Sequence, residues 1–256
     1  MLSQHLLVVL VGIVVGFLGG LFGKGGSAIA TPLLSLIGLP GFIAVAAPLP
    51  ATVPGTFIAS VEYWKSNLLD WQIVRWSIWV GVPATVLGSY LTYFTGSTPL
   101  LVVTGLLVLG FGISFLLSPQ ERTSSTPETN SGASASPKFW ILRIAVVAAF
   151  VGIISGLLAN SGGFLLAPSF ARILRQPIKK AFACSLAVSM VLALPGTIVH
   201  AVLGHIDWSV TLVLALGSVP FSYLGAKVAI KTQPRRLERW YGVALTGLGA
   251  YFLVRL

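Results

Sequence analysis

The chain alternates between long apolar runs and short polar breaks, with no period-two alternation inside the runs. Asp, Glu, Lys and Arg are absent from residues 1–23, 25–61, 76–120, 144–171, 181–206 and 208–226. Each run is near or above the roughly 20 residues that carry a helix across a bilayer core. Outer-membrane strands would instead alternate over about 10 residues. The pattern predicts an all-α polytopic membrane protein. One stretch interrupts it. Residues 118–137 (SPQERTSSTPETNSGASASP) hold six serines, three threonines and three prolines, too polar to pack a core. They read as a mobile polar linker between a first transmembrane repeat, 1–117, and a second, 138–256.

The halves repeat each other. At an offset of 136, Gly16, Gly20, Gly26 and Pro32 fall on Gly152, Gly156, Gly162 and Pro168. One inserted residue makes the offset 137. Asp70-Trp71 then falls on Asp207-Trp208, Val82-Pro83 on Val219-Pro220, and Gly88 on Gly225. Gly105, Gly110 and Gly112 likewise fall on Gly242, Gly247 and Gly249. Each half opens with a glycine-interrupted apolar segment, 6–38 or 140–174. Three apolar segments follow: 43–63, 72–94 and 99–117, then 178–203, 208–230 and 236–255. The opening segments are long for one span and short for two, so each is expected to be two half-helices meeting at a break, as a re-entrant hairpin. Two full spans in place of each hairpin would keep the same parity.

Charge sets the orientation. The chain carries 16 Lys and Arg against 6 Asp and Glu, a net +10. In a soluble protein that balance would suggest nucleic acid. Here Lys65, Arg75, Lys138, Arg143, Arg172, Arg175, Lys179, Lys180, Lys227, Lys231, Arg235, Arg236 and Arg239 sit at segment ends. Threading three crossings per half puts nearly all of them on one side, the cytoplasm by the positive-inside rule. The N- and C-termini are then outside. Three crossings is an odd number, so the repeats are expected to be inverted. The first residues lack the basic n-region of a signal peptide and read as part of the mature chain. Cys184 is the single cysteine, and no Cys/His spacing suggests a metal. No cofactor is expected, and no nucleic-acid partner. The bilayer is the expected environment, and a homo-oligomer is left open.

The chemistry is expected at the two breaks. Gly23, Lys24, Gly25, Gly26 and Ser27 form the first; Asn160, Ser161, Gly162 and Gly163 occupy the second. Consecutive glycines stop a helix and leave backbone N–H groups that must line a cavity at membrane depth. The N-terminus of the following half-helix attracts anions. Close helix packing through small residues is the alternative account of the same glycines. Lys24 is the only charge in residues 1–61, inside a break where charge is costly. It would pair with an anion, or else snorkel to the surface. Ser27, Asn160 and Ser161 would add donors. His200 lies in an apolar segment with Tyr63 as its repeat partner; it could carry protons or be a plain hydrogen-bond partner. His205 reads as solvated. Asp70 and Asp207 read as helix N-caps beside interfacial tryptophans. An intramembrane serine protease would need Ser27 and His200 in contact, and nothing in the sequence brings them together.

The glycine breaks closed by Pro32 and Pro168, the Asp-Trp pairs, and the late Val-Pro-x-x-x-x-Gly stretches at 82–88 and 219–225 resemble the TauE/SafE family of sulfite exporters. The resemblance covers nearly the whole chain outside the linker. It implies a secondary transporter exporting sulfite or an organosulfonate across the bacterial inner membrane. The family's glycine motif falls on Gly23–Ser27 and on 159–163. Its Thr-Ser pair falls on Cys184-Ser185, which adds Ser185 to the substrate-binding set. In the first half the Thr-Ser position holds Ala47-Pro48, and Lys24 stands where the family has a small or apolar residue. An anion channel of the same fold is the alternative within transport. No nucleotide-binding motif is present, so ATP is not expected to drive it directly.

Overall fold

A computed structural model describes residues 2–23, 26–91, 97–117, 137–158 and 161–254. The linker expected at 118–137 lies outside them except for Pro137. All eleven elements are α-helices: α1 (Leu2–Phe22), α2 (Ser27–Leu36), α3 (Gly41–Ala46), α4 (Pro48–Lys65), α5 (Trp71–Leu91), α6 (Ser97–Leu117), α7 (Pro137–Leu157), α8 (Gly163–Arg172), α9 (Ile178–Val202), α10 (Trp208–Lys231) and α11 (Pro234–Val254). Among the described residues, five helical stretches are long and apolar enough to cross a membrane, counting Gly41–Lys65 as one.

Both opening segments break where the glycines fall. Gly26 precedes α2 at φ 77°, and Gly162 precedes α8 at φ 71°, a region closed to most side chains. The apolar segment expected over 43–63 is one membrane-length stretch, Gly41–Lys65, within which α3 runs directly into α4, with Ala47 shared at the junction and Pro48 opening α4. Proline fits a first helical turn without loss of a hydrogen bond. Asp70 Oδ1 accepts from Gln72 N at 2.9 Å and Ile73 N at 3.3 Å. Asp207 Oδ1 accepts from Ser209 N at 2.9 Å and Val210 N at 3.1 Å, so both carboxylates cap their helices in the same way. Trp71 and Trp208 are both exposed beside them.

Glycine decides which helices touch. A Cβ on Gly16 would stand 2.2 Å from the Ser218 carbonyl oxygen, and one on Gly20 2.0 Å from that of Ser222. In the other half, a Cβ on Gly152 would stand 2.7 Å from the Gly81 oxygen, and one on Gly156 2.1 Å from that of Thr85. These contacts seat α1 on α10 and α7 on α5, each pair running in parallel. The opening helix of each half thus packs on a helix of the other half. Gly88 against Ile153 and Gly225 against Phe17 repeat the exchange. The glycines of α1 and α7 therefore do act in close helix packing. Helices α6 and α11 also pair, Gly112 lying on Thr246 and Gly242 on Phe115, and they run antiparallel.

The core follows from this interleaving. Phe22, Phe115, Phe182 and Tyr241 form a buried aromatic knot, with centroid distances of 4.9–5.5 Å from Tyr241 to the three phenylalanines. Such tilted and edge-on pairs add to area burial. Arg172 ends α8 by donating Nη2 to Ser114 O at 2.8 Å, its guanidinium 4.1 Å above the Phe115 ring, within the field of buried Glu238. Arg143 on α7 donates to Ile173 O at 2.8 Å, so the end of α8 returns to the level of the start of α7.

Candidate functional site

The two breaks meet. Ser27 opens α2, and its Oγ lies 2.9 Å from Ser161 Oγ, just ahead of α8. Ser161 N also donates to Ser27 Oγ at 3.3 Å. Both serines are buried. Two half-helices, one from each half of the chain, therefore abut at their N-termini. Neither is capped by a side chain, because Gly26 and Gly162 have none to offer. The positive ends of both helix dipoles converge there, the arrangement that stabilises an anion.

Local chemistry explains why each piece sits where it does. In α2, Ile29 N and Ala30 N donate to Gly26 O; in α8, Leu165 N and Leu166 N donate to Gly162 O. Each glycine thus starts its helix while its own backbone turns away. Gly23, at φ 66°, lets the chain pass Phe182 of α9, where a Cβ would stand 2.5 Å from the Phe182 Cα. Ser185 of α9 donates Oγ to Gly163 O at 3.2 Å, tying α9 to the first residue of α8. Thus Ser27, Ser161, Gly162, Gly163 and Ser185 are brought together, with Gly23 and Gly26 in the chain turn beside them. Lys24, Gly25 and Asn160 lie outside the described residues.

His200 is placed elsewhere. Its Nδ1 lies 3.2 Å from His205 Nδ1 at the C-terminal end of α9, where the ring of His205 also stacks near Phe42. Ser27 Oγ and His200 therefore pair with different groups. Its repeat partner Tyr63 is fully buried and donates its hydroxyl to Gly20 O at 3.1 Å, clamping α4 to α1.

A cavity of about 10 Å³, the room of about one water, opens beside the first break. Gly19, Gly26, Thr52, Thr56, Ser218 and Ser222 line it. Sequence reasoning singled out none of these four hydroxyls. The available signal was their spacing: Thr52 and Thr56 on α4, and Ser218 and Ser222 on α10, are each four apart on apolar helices and so share a face. At the second break Ser155 stands at the repeat position of Gly19, and its Oγ lies where a Gly162 Cβ would be, 2.2 Å away.

Comparison with known proteins agrees with this architecture. The proteins named "Probable membrane transporter protein YunE" of Bacillus subtilis (strain 168) and "Probable membrane transporter protein MJ0441" of Methanocaldococcus jannaschii are 21 % and 25 % identical to the chain. The first alignment covers 98 % of this chain and 97 % of the relative, the second 97 % and 95 %. A "Probable membrane transporter protein" of Xylella fastidiosa (strain 9a5c) is 26 % identical, over 94 % of this chain and 92 % of its own. No solved structure matches. The family model "Sulfite exporter TauE/SafE" matches residues 8–252. With glycine breaks, caps and interleaved helices spanning that same range, the chain belongs to the TauE/SafE family.

Proposed function

We propose that this protein is a secondary carrier that exports a small oxyanion, sulfite or an organosulfonate, across the bacterial inner membrane. The observation that carries the reading is the junction of two half-helix N-termini through Ser27 and Ser161. A converging pair of dipole ends at membrane depth favours an anion, each end contributing about 0.3–1 kcal/mol and up to about 2 when partly buried. Backbone amides of both breaks would replace the anion's water, with Lys24, Asn160, Ser27 and Ser161 as directed donors. The 10 Å³ cavity is smaller than any oxyanion, so binding there requires the breaks to part further. The family's printed description supplies the sulfur chemistry.

Residues 1–117 and 138–256 act, in this reading, as inverted repeats that rock against each other around the breaks. Helices α6 and α11 occupy equivalent repeat positions and run antiparallel, which supports opposite orientation of the halves. Arg143, Arg172 and Lys179 gather at the α8 end, which supports that end as cytoplasmic, with both termini outside.

The test is binding and flux on purified protein. Sulfite, sulfate, thiosulfate, taurine and sulfoacetate are titrated in detergent, and counterflow is measured in proteoliposomes. Saturable binding of sulfite or a sulfonate with counterflow is expected. Flux without saturation would make the protein a channel, and binding of none of these anions would overturn the reading. A reporter fused after Leu256 is expected outside; a cytoplasmic signal would overturn the inverted repeat.

A further inference from the structure

Among the described residues, three fully buried serine hydroxyls have no hydrogen-bond partner: Ser77, Ser155 and Ser189. An unmade buried hydrogen bond costs about 1–3 kcal/mol, so each such group calls for an explanation. Two of the three converge on the second break. Ser155, on α7, holds its Oγ directly against Gly162, the residue that starts α8. Ser189, on α9, lies one helical turn beyond Ser185 on the same face. Ser185 already reaches the first residue of α8 through Gly163 O. Ser189 is therefore carried past the α8 N-terminus, along the axis on which its dipole acts.

The first half offers no such pair. The repeat position of Ser155 is Gly19, with no hydroxyl, and that of Ser189 is Thr52. Thr52 Oγ1 donates to Pro48 O at 2.9 Å and Leu49 O at 3.3 Å, so its proton is committed to its own helix. At these two repeat positions only the second-break copies carry unpartnered hydroxyls, at 1 % and 0 % exposure.

We propose that Ser155 and Ser189 are substrate-binding donors, and that the second half holds the oxygen atoms of the transported oxyanion. The inference rests on the carrier reading above and adds two residues to it. The hydroxyls stay unpaired in this conformation because their acceptor is the anion. They donate without carrying charge, which suits an anion that must leave again. Ser185 belongs to the same face but is satisfied by the backbone and serves to position α8.

The experiment compares Ser155→Ala, Ser189→Ala and Ser185→Ala with wild type, by sulfite titration and by thermal unfolding without anion. Ser155→Gly, which copies the first half, is a second variant at that site. A hydrogen bond to a charged group sets the expected loss of sulfite affinity at about 10-fold or more for Ser155→Ala and for Ser189→Ala. Their unfolding midpoints without anion are expected to stay level or rise, because an unsatisfied hydroxyl has been removed. Ser185→Ala is expected to lower the midpoint. Unchanged affinity in both Ala variants would overturn the proposal while leaving the carrier reading intact. A midpoint that falls in step with affinity would also overturn it, by showing a structural role. A wild-type protein that binds no sulfite or sulfonate would overturn both together.

Discussion

The first and second glycine breaks start from one backbone plan and diverge in their side chains. Each turns on a positive-φ glycine, Gly26 or Gly162, and each is followed by a ten-residue helix. Around the first lie a small cavity and a lysine in the sequence; around the second lie Ser155, Ser189 and a neutral asparagine. Backbone geometry is the part neither copy can lose, because any Cβ at the turning glycine is strained. In the carrier proposed above, side chains at the same depth divide the work: Lys24 adds charge at the first break, and the second relies on neutral donors alone.

The largest expected effect tests what the halves still share. Gly20→Val and Gly156→Val each drive a branched side chain into a backbone carbonyl about 2 Å from the Cβ position. Overpacking of this kind costs typically 1–3 kcal/mol and here about 3 kcal/mol or more, since a backbone carbonyl cannot swing aside. Both variants are expected to lose most of their monodisperse protein on size exclusion in detergent, whereas Gly110→Ala and Gly247→Ala, which meet nothing within 4 Å, are not. A tolerated Gly156→Val beside a lethal Gly20→Val would break the equivalence.

The next effect tests the charge difference. Lys24→Met is expected to weaken sulfite binding roughly 10- to 100-fold, about 1.4–2.8 kcal/mol, with the fold kept. Asn160→Ala removes only neutral hydrogen bonds and is expected to cost about 1 kcal/mol, roughly fivefold. Equal losses, or a Lys24→Met that changes membrane insertion and leaves affinity alone, would remove the asymmetry of charge.

A smaller effect tests the junction itself. Ser27→Ala deletes the oxygen that meets both Ser161 Oγ and Ser161 N, whereas Ser161→Ala leaves its N–H free to keep donating. Thermal unfolding is expected to show about 1–2 kcal/mol for the first and about 1 kcal/mol or less for the second. The smallest effect is at the linker. Shortening residues 120–136 is expected to leave transport unchanged, provided the remainder spans the ends; lost transport at full expression would contradict that.

Much of this was legible in the chain. Charge-free runs located the helices, glycine pairs located both breaks, and each Asp-Trp located a cap, because all three depend on local chemistry. The division of α3 from α4 at Pro48, inside that one apolar stretch, has no sequence signal of its own, since a proline in a long apolar run reads as an internal kink as readily as a helix start. The partners of α1 and α7 were missed too. Gly16 and Gly20 announce close packing on one face without saying which helix fills it. Ser155 and Ser189 escaped notice because an isolated serine in an apolar helix ordinarily bonds its own backbone, as Thr85 does with Gly81 O at 2.8 Å. Only the folded arrangement distinguishes a satisfied hydroxyl from a waiting one.

The interleaving of α1 with α10 has a consequence for how the protein is made. From the end of α1 at Phe22 to the end of α10 at Lys231 the ribosome adds about 210 residues. At roughly 5–20 residues per second, α1 spends on the order of ten to forty seconds in the bilayer before its partner exists. Its glycine face, Gly12, Gly16 and Gly20, stays bare to lipid or to the insertion machinery for that time. Helix α7 has no such wait, because α5 is already in place when it emerges. Until α10 arrives, α4, through Tyr63 on the Gly20 carbonyl, is a partner α1 has within its own half.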